Sequence, residues 1–295
     1  MNANENKYKV LALDIDGTLT NSKKEITPTV LNAVRRLQNA DIPVLLVSGR
    51  PEMGIEHVAK ELGFYEYGGY VFAYNGGKIV NKKTGEVVLN QTLPKDMVQP
   101  VIDYIKDKDV AILTYDGNDI ITEKPDDIYV QKEVMITHMN VRKVDDFSAA
   151  INFPVNKFLI TGEPSYLETL VEEMAEAFAP RLNIFRSEPF FIEVVSQGID
   201  KALSLSKLME MFGLSKENLV ACGDGHNDVT MIDYAGMGVA MENACDEVKR
   251  VSNFITKSND EDGVAFAIDK FFPYWYIHYL ERKWDYAQLF ACNRI

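Results

Sequence analysis

Leu11-Ala12-Leu13-Asp14-Ile15-Asp16-Gly17-Thr18-Leu19-Thr20 is the stretch that decides the fold. An apolar run from Tyr8 to Leu13 passes directly into two carboxylates at i and i+2, followed by a Gly-Thr turn. In an extended strand, residues i and i+2 project to the same side, so Asp14 and Asp16 leave the strand end together. Two like charges held that close are costly unless a cation or a shared proton offsets them. Open α/β sheets bind ligands at the carboxyl ends of their parallel strands, so an acidic pair at such an end points to a bound cation. Read alone, the segment also fits an acidic strand-to-turn junction, because Asp and Gly are ordinary turn residues.

Working outward, the apolar runs Tyr8–Asp14, Ile42–Val47 and Tyr70–Tyr74 alternate with helical patterns near Pro28–Ala40 and Glu52–Leu62. Pro28 after Thr27 is a good helix start and Gly63 a good stop. The alternation resumes after Val195, with helices over Lys201–Phe212, Asp228–Ala235, Cys245–Val251 and Asp262–Phe271 and strands at Leu219–Cys222 and Met237–Ala240. This pattern predicts an α/β protein with a doubly wound, Rossmann-like parallel sheet. Between about Thr84 and Val194 the texture changes. The β-like runs Ala111–Tyr115, Asp119–Thr122, Asn156–Thr161 and Phe190–Val195 surround a helix at Tyr166–Phe178, and Lys83-Thr84-Gly85 and Asp116-Gly117-Asn118 read as hairpin turns. The expected division is a core over 1–84 and 195–272, an inserted α+β cap over 85–194, and an aromatic C-terminal extension over 273–295.

Composition narrows the function. The 295-residue chain is 46% hydrophobic and 25% charged, ordinary for a globular protein large enough for two domains. Its net charge of −13 argues against nucleic acid or an anionic membrane as partner. An anionic substrate then requires metal and Lys or Arg to reverse the field locally. The polar start, Met1 to Lys9, is unlike a signal peptide, and no apolar run approaches membrane-spanning length. Cys222, Cys245 and Cys292 are widely spaced and lack a C-x-x-C, which suits reduced thiols. A cytoplasmic protein is expected.

Three further clusters make sense beside the first. Val44-Leu45-Leu46-Val47 runs into Ser48-Gly49-Arg50-Pro51, where a hydroxyl and free backbone N–H groups at a strand-to-helix turn offer a phosphate cradle. Singly, it is also an ordinary turn before a proline-started helix. Lys201 opens a helix after Ile199-Asp200, where an ammonium opposes the helix dipole. Cys222-Gly223-Asp224-Gly225-His226-Asn227-Asp228 follows an apolar strand and carries a second acidic pair, Asp224 and Asp228, between glycines that admit a ligand. Together the two pairs supply oxygen ligands enough for Mg²⁺. A metal held by Asp14, the Asp16 carbonyl and Asp224 would leave Asp14 as nucleophile toward phosphorus and Asp16 as general acid and base. Ser48, the amides of Ile15 and Gly49, Lys201 and Asn227 would hold the phosphoryl oxygens, since positioning and charge neutralisation supply most of phosphoryl-transfer catalysis.

D-I-D-G-T-L-T, S-G-R, the lysine at 201 and G-D-G-H-N-D, in this order and spacing, resemble the four motifs of the haloacid dehalogenase superfamily of phosphohydrolases. The likeness runs from about Tyr8 to Lys270 and includes Phe72-Ala73-Tyr74-Asn75-Gly76-Gly77, Tyr234–Met241 and Ser258–Ala265. The insertion is similar to the type IIB cap of the Cof-type branch, and within that branch the chain is most similar to bacterial sugar-phosphate phosphatases. The resemblance implies Mg²⁺-dependent hydrolysis of a small phosphorylated metabolite through an aspartyl-phosphate, with Asp228 supporting the metal or Lys201. The family's usual Gly after the third-motif lysine is Ala202 here, and Ser48 is an accepted hydroxyl donor in the second motif.

Other readings of paired carboxylates are narrower. Glycosidase carboxyl groups flank a sugar ring at ~5–10 Å, unlike neighbours at i and i+2. A phosphosugar mutase of the same superfamily would use the same two aspartates, and a non-catalytic sugar-phosphate sensor could use the same scaffold. The cap must close over the site and contact the leaving group. Arg186 and Glu193 on the cap side, with Arg50 and Asn75 on the core side, are the substrate-contact candidates, and Glu188 and Phe190 lie near the same return into the core. His226 reads as a variable turn residue. Trp275, Tyr279, Tyr286 and Phe290 fall near helical spacing, which suits packing on the chain's own domain or a homodimer contact through 273–295.

Overall fold

A computed structural model describes residues 7–273. Its strands are β1 (Val10–Leu13), β2 (Val44–Val47), β3 (Tyr70–Ala73), β4 (Lys78–Asn81), β5 (Val87–Asn90), β6 (Ala111–Asp116), β7 (Asp119–Thr122), β8 (Asn140–Lys143), β9 (Lys157–Thr161), β10 (Leu182–Glu188), β11 (Phe191–Ser196), β12 (Leu219–Gly223), β13 (Met237–Ala240) and β14 (Phe254–Ile255). They form two sheets, an eight-stranded one of order β14-β13-β12-β1-β2-β3-β4-β5 and a six-stranded one of order β10-β11-β9-β6-β7-β8.

From β14 to β3 the larger sheet is parallel, and β4 and β5 extend it as an antiparallel edge. Every residue of β1, β2 and β12 is buried, as expected of strands covered on both faces by helices. Helix Pro28–Gln38 starts where the sequence predicts, with the Thr27 hydroxyl accepting from Val30 N–H at 3.2 Å. Gly63 ends the next helical segment, Glu52–Glu61, in the left-handed conformation that glycine adopts without strain.

The smaller sheet comes wholly from residues 111–196, and strand alternation sorts its faces. Ala111, Leu113, Tyr115, Leu159 and Phe191 join the hydrophobic cluster of the larger domain, whereas Ile112, Phe158, Ile160, Ile192 and Val194 join a separate cluster with helices Lys95–Ile105 and Pro164–Phe178. One face therefore turns to the core, and the cap helix Ile128–Thr137 packs there against Glu52–Glu61. The expected boundary at 84/85 falls inside the β4–β5 hairpin. Lys83-Thr84-Gly85 is the hairpin turn itself, and β5 still pairs in the core sheet, so the chain leaves that sheet only after Asn90. At the return, β11 continues two residues past 194. The Asp116-Gly117-Asn118 turn joins β6 to β7 as read. No helix among the described residues is long and apolar enough to cross a membrane. The aromatic extension beyond Pro273 lies outside the described residues.

Candidate active site

The loops after β1, β2, β3 and β12 all open at the carboxyl edge of the parallel sheet, the edge at which such sheets bind ligands. They meet the cap across a cleft of 660 Å³ lined by Asp14, Asp16, Ser48, Gly49, Arg50, Asn75, Asp224 and Asn227 from the core and by Glu133, Lys157, Arg186 and Glu193 from the cap.

β1 ends at Leu13, one residue earlier than the strand reading needs, and a turn begins at Ile15. Leu19 N–H to Asp14 carbonyl at 3.3 Å and Thr20 N–H to Ile15 carbonyl at 3.0 Å close that turn. The two carboxylates consequently take separate partners rather than sharing one face. Asp14 is buried and accepts from Lys201 Nζ at 2.8 Å. Asp16 is gripped by Arg50 through Nε at 2.8 Å and Nη2 at 2.7 Å, with Lys24 Nζ at 2.7 Å. Burial opposes the charge on Asp16, but this bidentate clamp outweighs it and holds the carboxyl below its ordinary pKa.

Lys201 is the hub. Its Nζ also reaches Asp228 Oδ1 at 2.5 Å. Burial works against the ammonium, and the two aspartates more than compensate, raising its pKa. Helix Lys201–Met211 begins at the lysine despite Ala202, because Asp200 caps it by accepting from Leu203 N–H at 3.0 Å. The other oxygen of Asp228 accepts from the backbone N–H of Asp224 and of Gly225, each at 2.9 Å. Asp228 thus folds its own loop and anchors the lysine.

Asp14, Asp224 and Asp228 bring carboxylate oxygens within 4.8 Å of one another. Burial, then Asp228, raises the Asp14 pKa well above normal in spite of Lys201. Burial likewise lifts Asp224 to about 6, against a 2.7 Å hydrogen bond from the Thr18 hydroxyl. Three crowded carboxylates sharing one ammonium form a hard-oxygen donor set short of positive charge, which fits a divalent cation such as Mg²⁺. Gly17 makes room for the Asp224 carboxylate. Its φ is +81°, and a Cβ there would collide with Asp224 Oδ2.

The remaining loops are laced together. Asn75 N–H donates to Ser48 carbonyl at 2.9 Å and Tyr74 N–H to Arg50 carbonyl at 3.0 Å, while Asn227 Nδ2 donates to Asn75 Oδ1 at 3.3 Å. Ser48 is buried at the cleft, and Ile15 is fully buried. Arg186 lines the cleft but pairs with Glu168 at 3.3 Å and with the Pro189 carbonyl at 3.0 Å. Glu193 lines it beside Lys157. Sequence reading overlooks Thr18, Lys24, Glu133 and Lys157. A signal exists for the last, a lone lysine opening the apolar strand Lys157–Thr161.

A Rossmann-like core carrying acidic strand ends, a buried lysine and an inserted cap defines a class of hydrolases. The chain belongs to the haloacid dehalogenase-like hydrolases, whose family profile matches residues 11–268. A haloacid dehalogenase-like hydrolase from Bacteroides thetaiotaomicron is 46% identical and superposes with a TM-score of 0.86 over 89% of this chain and 99% of that one. The subclass IIB sugar phosphatase BT4131 is 25% identical with a TM-score of 0.76, covering 90% of this chain and 99% of its own. In Bacillus subtilis, the 5-amino-6-(5-phospho-D-ribitylamino)uracil phosphatase YitU is 28% identical over 91% of this chain and 99% of its own length.

Proposed function

We propose that the chain is a Mg²⁺-dependent phosphatase of small phosphate monoesters, sugar phosphates foremost, working through an aspartyl-phosphate. The observation that carries this is the floor of the cleft, where Asp14 sits between Lys201 and the Asp224–Asp228 pair at the end of β1. The relatives add support, since one is a sugar phosphatase and another acts on a phosphorylated ribityl chain.

Asp14, Asp224 and the backbone carbonyl of Asp16 would hold the cation, which when bound neutralises the carboxylates and the phosphoryl group together. Ser48, the amides of Ile15 and Gly49, Lys201 and Asn227 fix the phosphoryl oxygens, and Asp228 keeps Lys201 in place. Asp14 attacks phosphorus in line. The Asp14–phosphorus bond forms as the ester P–O bond breaks, and Asp16 gives its proton to the leaving oxygen. Asp16 then takes a proton from the water that attacks phosphorus, releasing phosphate and restoring Asp14. The ionised Asp16 held by Arg50 is the form the second step needs. The first step needs the protonated form, which the Arg50 pairing disfavours, so proton delivery to the leaving oxygen is the more demanding half of the cycle.

Phosphate release from p-nitrophenyl phosphate and a sugar-phosphate panel, with and without Mg²⁺, tests this. Asp14→Asn should abolish turnover, and hydrolysis that survives it overturns the mechanism. Isomerised sugar with little free phosphate would mark a mutase. We also propose a homodimer through residues 273–295. Deleting the residues after Pro273 should then convert a dimer to a monomer in solution, and a full-length chain that is already a monomer, or a truncated one that stays dimeric, refutes the contact.

A further inference from the structure

Above the Lys201 cluster, the cap brings a second charged group to the cleft. Lys157 is 3% and Glu193 5% exposed, yet both line the cleft. They share the core-facing side of the cap sheet with Leu159 and Phe191, two residues away along their strands. Lys157 Nζ donates to Glu193 Oε1 at 3.2 Å and to the Gly49 carbonyl at 3.1 Å. A cap lysine thereby ties the reading strand β11 to the core loop that carries Ser48. Glu133, also buried, stands at the same wall and accepts from the Tyr115 hydroxyl at 2.7 Å.

The bonding is incomplete. Glu193 Oε2 is buried and has no hydrogen-bond donor among the described residues. A buried carboxylate oxygen left bare is costly, and native proteins rarely leave one so. The terminal torsion of a glutamate is soft, so a small rotation presents this oxygen to a donor in the cleft. The lining cations are already engaged: Arg50 with Asp16, Lys157 with Glu193, and Arg186 with Glu168. A leaving group bearing a second anion would meet carboxylates and spent cations. One bearing hydroxyls supplies the donor that Glu193 lacks and an acceptor for the third N–H of Lys157.

We propose that Glu193, fixed by Lys157, reads the leaving group by accepting a hydrogen bond from a hydroxyl of a polyhydroxylated, otherwise uncharged phosphate monoester. This rests on the phosphatase reading. The test is steady-state phosphate release with Mg²⁺ from the most rapidly cleaved of a panel of hexose and pentose phosphates, from its monodeoxy analogues, and from p-nitrophenyl phosphate, which has no hydroxyl. The wild type should lose about 10- to 100-fold in kcat/KM on one deoxy analogue, the ordinary worth of a hydrogen bond to a charged group. Glu193→Gln should lose about as much on the parent sugar phosphate and no longer distinguish that analogue. Its loss on p-nitrophenyl phosphate should be several-fold smaller than its loss on the parent sugar phosphate, since that ester never makes the bond. A wild type that treats the whole deoxy series alike overturns the proposal even if the variant fails to fold. Equal loss on both esters in Glu193→Gln, or preference for bisphosphates or phosphorylated carboxylic acids, overturns it too. A wild type that releases no phosphate from any ester overturns the underlying reading instead.

Discussion

Replacing Asp224 with Asn should make the metal-free protein more stable while disabling it. Burial raises the Asp224 pKa to about 6 in the folded protein, Asp228 adds to the shift, and the carboxyl titrates near 3.8 when unfolded. As pH rises between those values the unfolded chain ionises first, which draws the equilibrium toward unfolding. The penalty is absent below 3.8, grows until about 6 and is constant above it. The gap corresponds to about 3 kcal/mol. Asparagine keeps the size and the Oδ1 acceptor that Thr18 uses at 2.7 Å but never ionises. In EDTA at about pH 8 the variant should therefore melt about 5 °C above wild type. By about pH 4 the lead should vanish. Millimolar Mg²⁺ should stabilise wild type and leave the variant unmoved, because only a ligand-binding native state gains from mass action. Calorimetry at both pH values, with and without the cation, reads all of this. A variant no more stable than wild type at pH 8, or equally ahead at pH 4, refutes the crowded-carboxylate account.

Other outcomes follow from the same geometry. Lys201→Met leaves Asp14 and Asp228 facing each other without their shared ammonium, and should cost about 3–5 kcal/mol of stability together with all phosphate release. A melting point unchanged from wild type would contradict that burial argument. Gly17→Ala drives a Cβ into Asp224 Oδ2 and should raise the Mg²⁺ concentration for half-maximal activity about tenfold or more, read by titration of rate against metal. Lys82 pairs with Glu52 at 3.1 Å and Glu56 at 2.9 Å. Burial opposes charge on both glutamates, yet their hydrogen-bonded partners, chiefly Lys78 for Glu52 and Tyr65 and Lys82 for Glu56, hold their pKa values below normal. That contribution is present above the ordinary glutamate value of 4.5 and is lost as pH falls through the depressed folded values. The stability lead of wild type over Lys82→Met, followed by urea titration, should be largest near neutrality and shrink below that value.

The core was legible because its chemistry is written locally. Each of the loops at Asp14, Ser48 and Asp224 follows an apolar strand that can only be central, so strand order alone brings them to one edge. Lys201 needed its neighbours to be recognised, since nothing in Ile199-Asp200-Lys201 foretells that the ammonium points inward. The cap was harder. Pro100 argues against the helix Lys95–Ile105 that contains it, and the apolar residues of Ile128–Thr137 are spread around the helix rather than along one stripe. Glu133 and Lys157 act through contacts with partners far along the chain, the Gly49 carbonyl being 108 positions from Lys157. The partnership of Arg50 with Asp16, rather than with a ligand, also depends on a turn that starts one residue earlier than strand periodicity suggests.

The placement of β1 sets the order in which the protein can come to life. Val10–Leu13 pairs on one side with β2, made soon after it, and on the other with β12, made some two hundred residues later. Until Leu219–Gly223 leaves the ribosome, one edge of a wholly apolar strand has no partner, and edges of that kind recruit foreign strands. Lys201 is likewise still to come when Asp14 is made. A nascent chain thus carries Asp14 early as an unneutralised carboxylate, and only the arrival of the last third completes both the sheet and the charge balance. Any truncation before β12 would yield an aggregation-prone fragment rather than a weak enzyme.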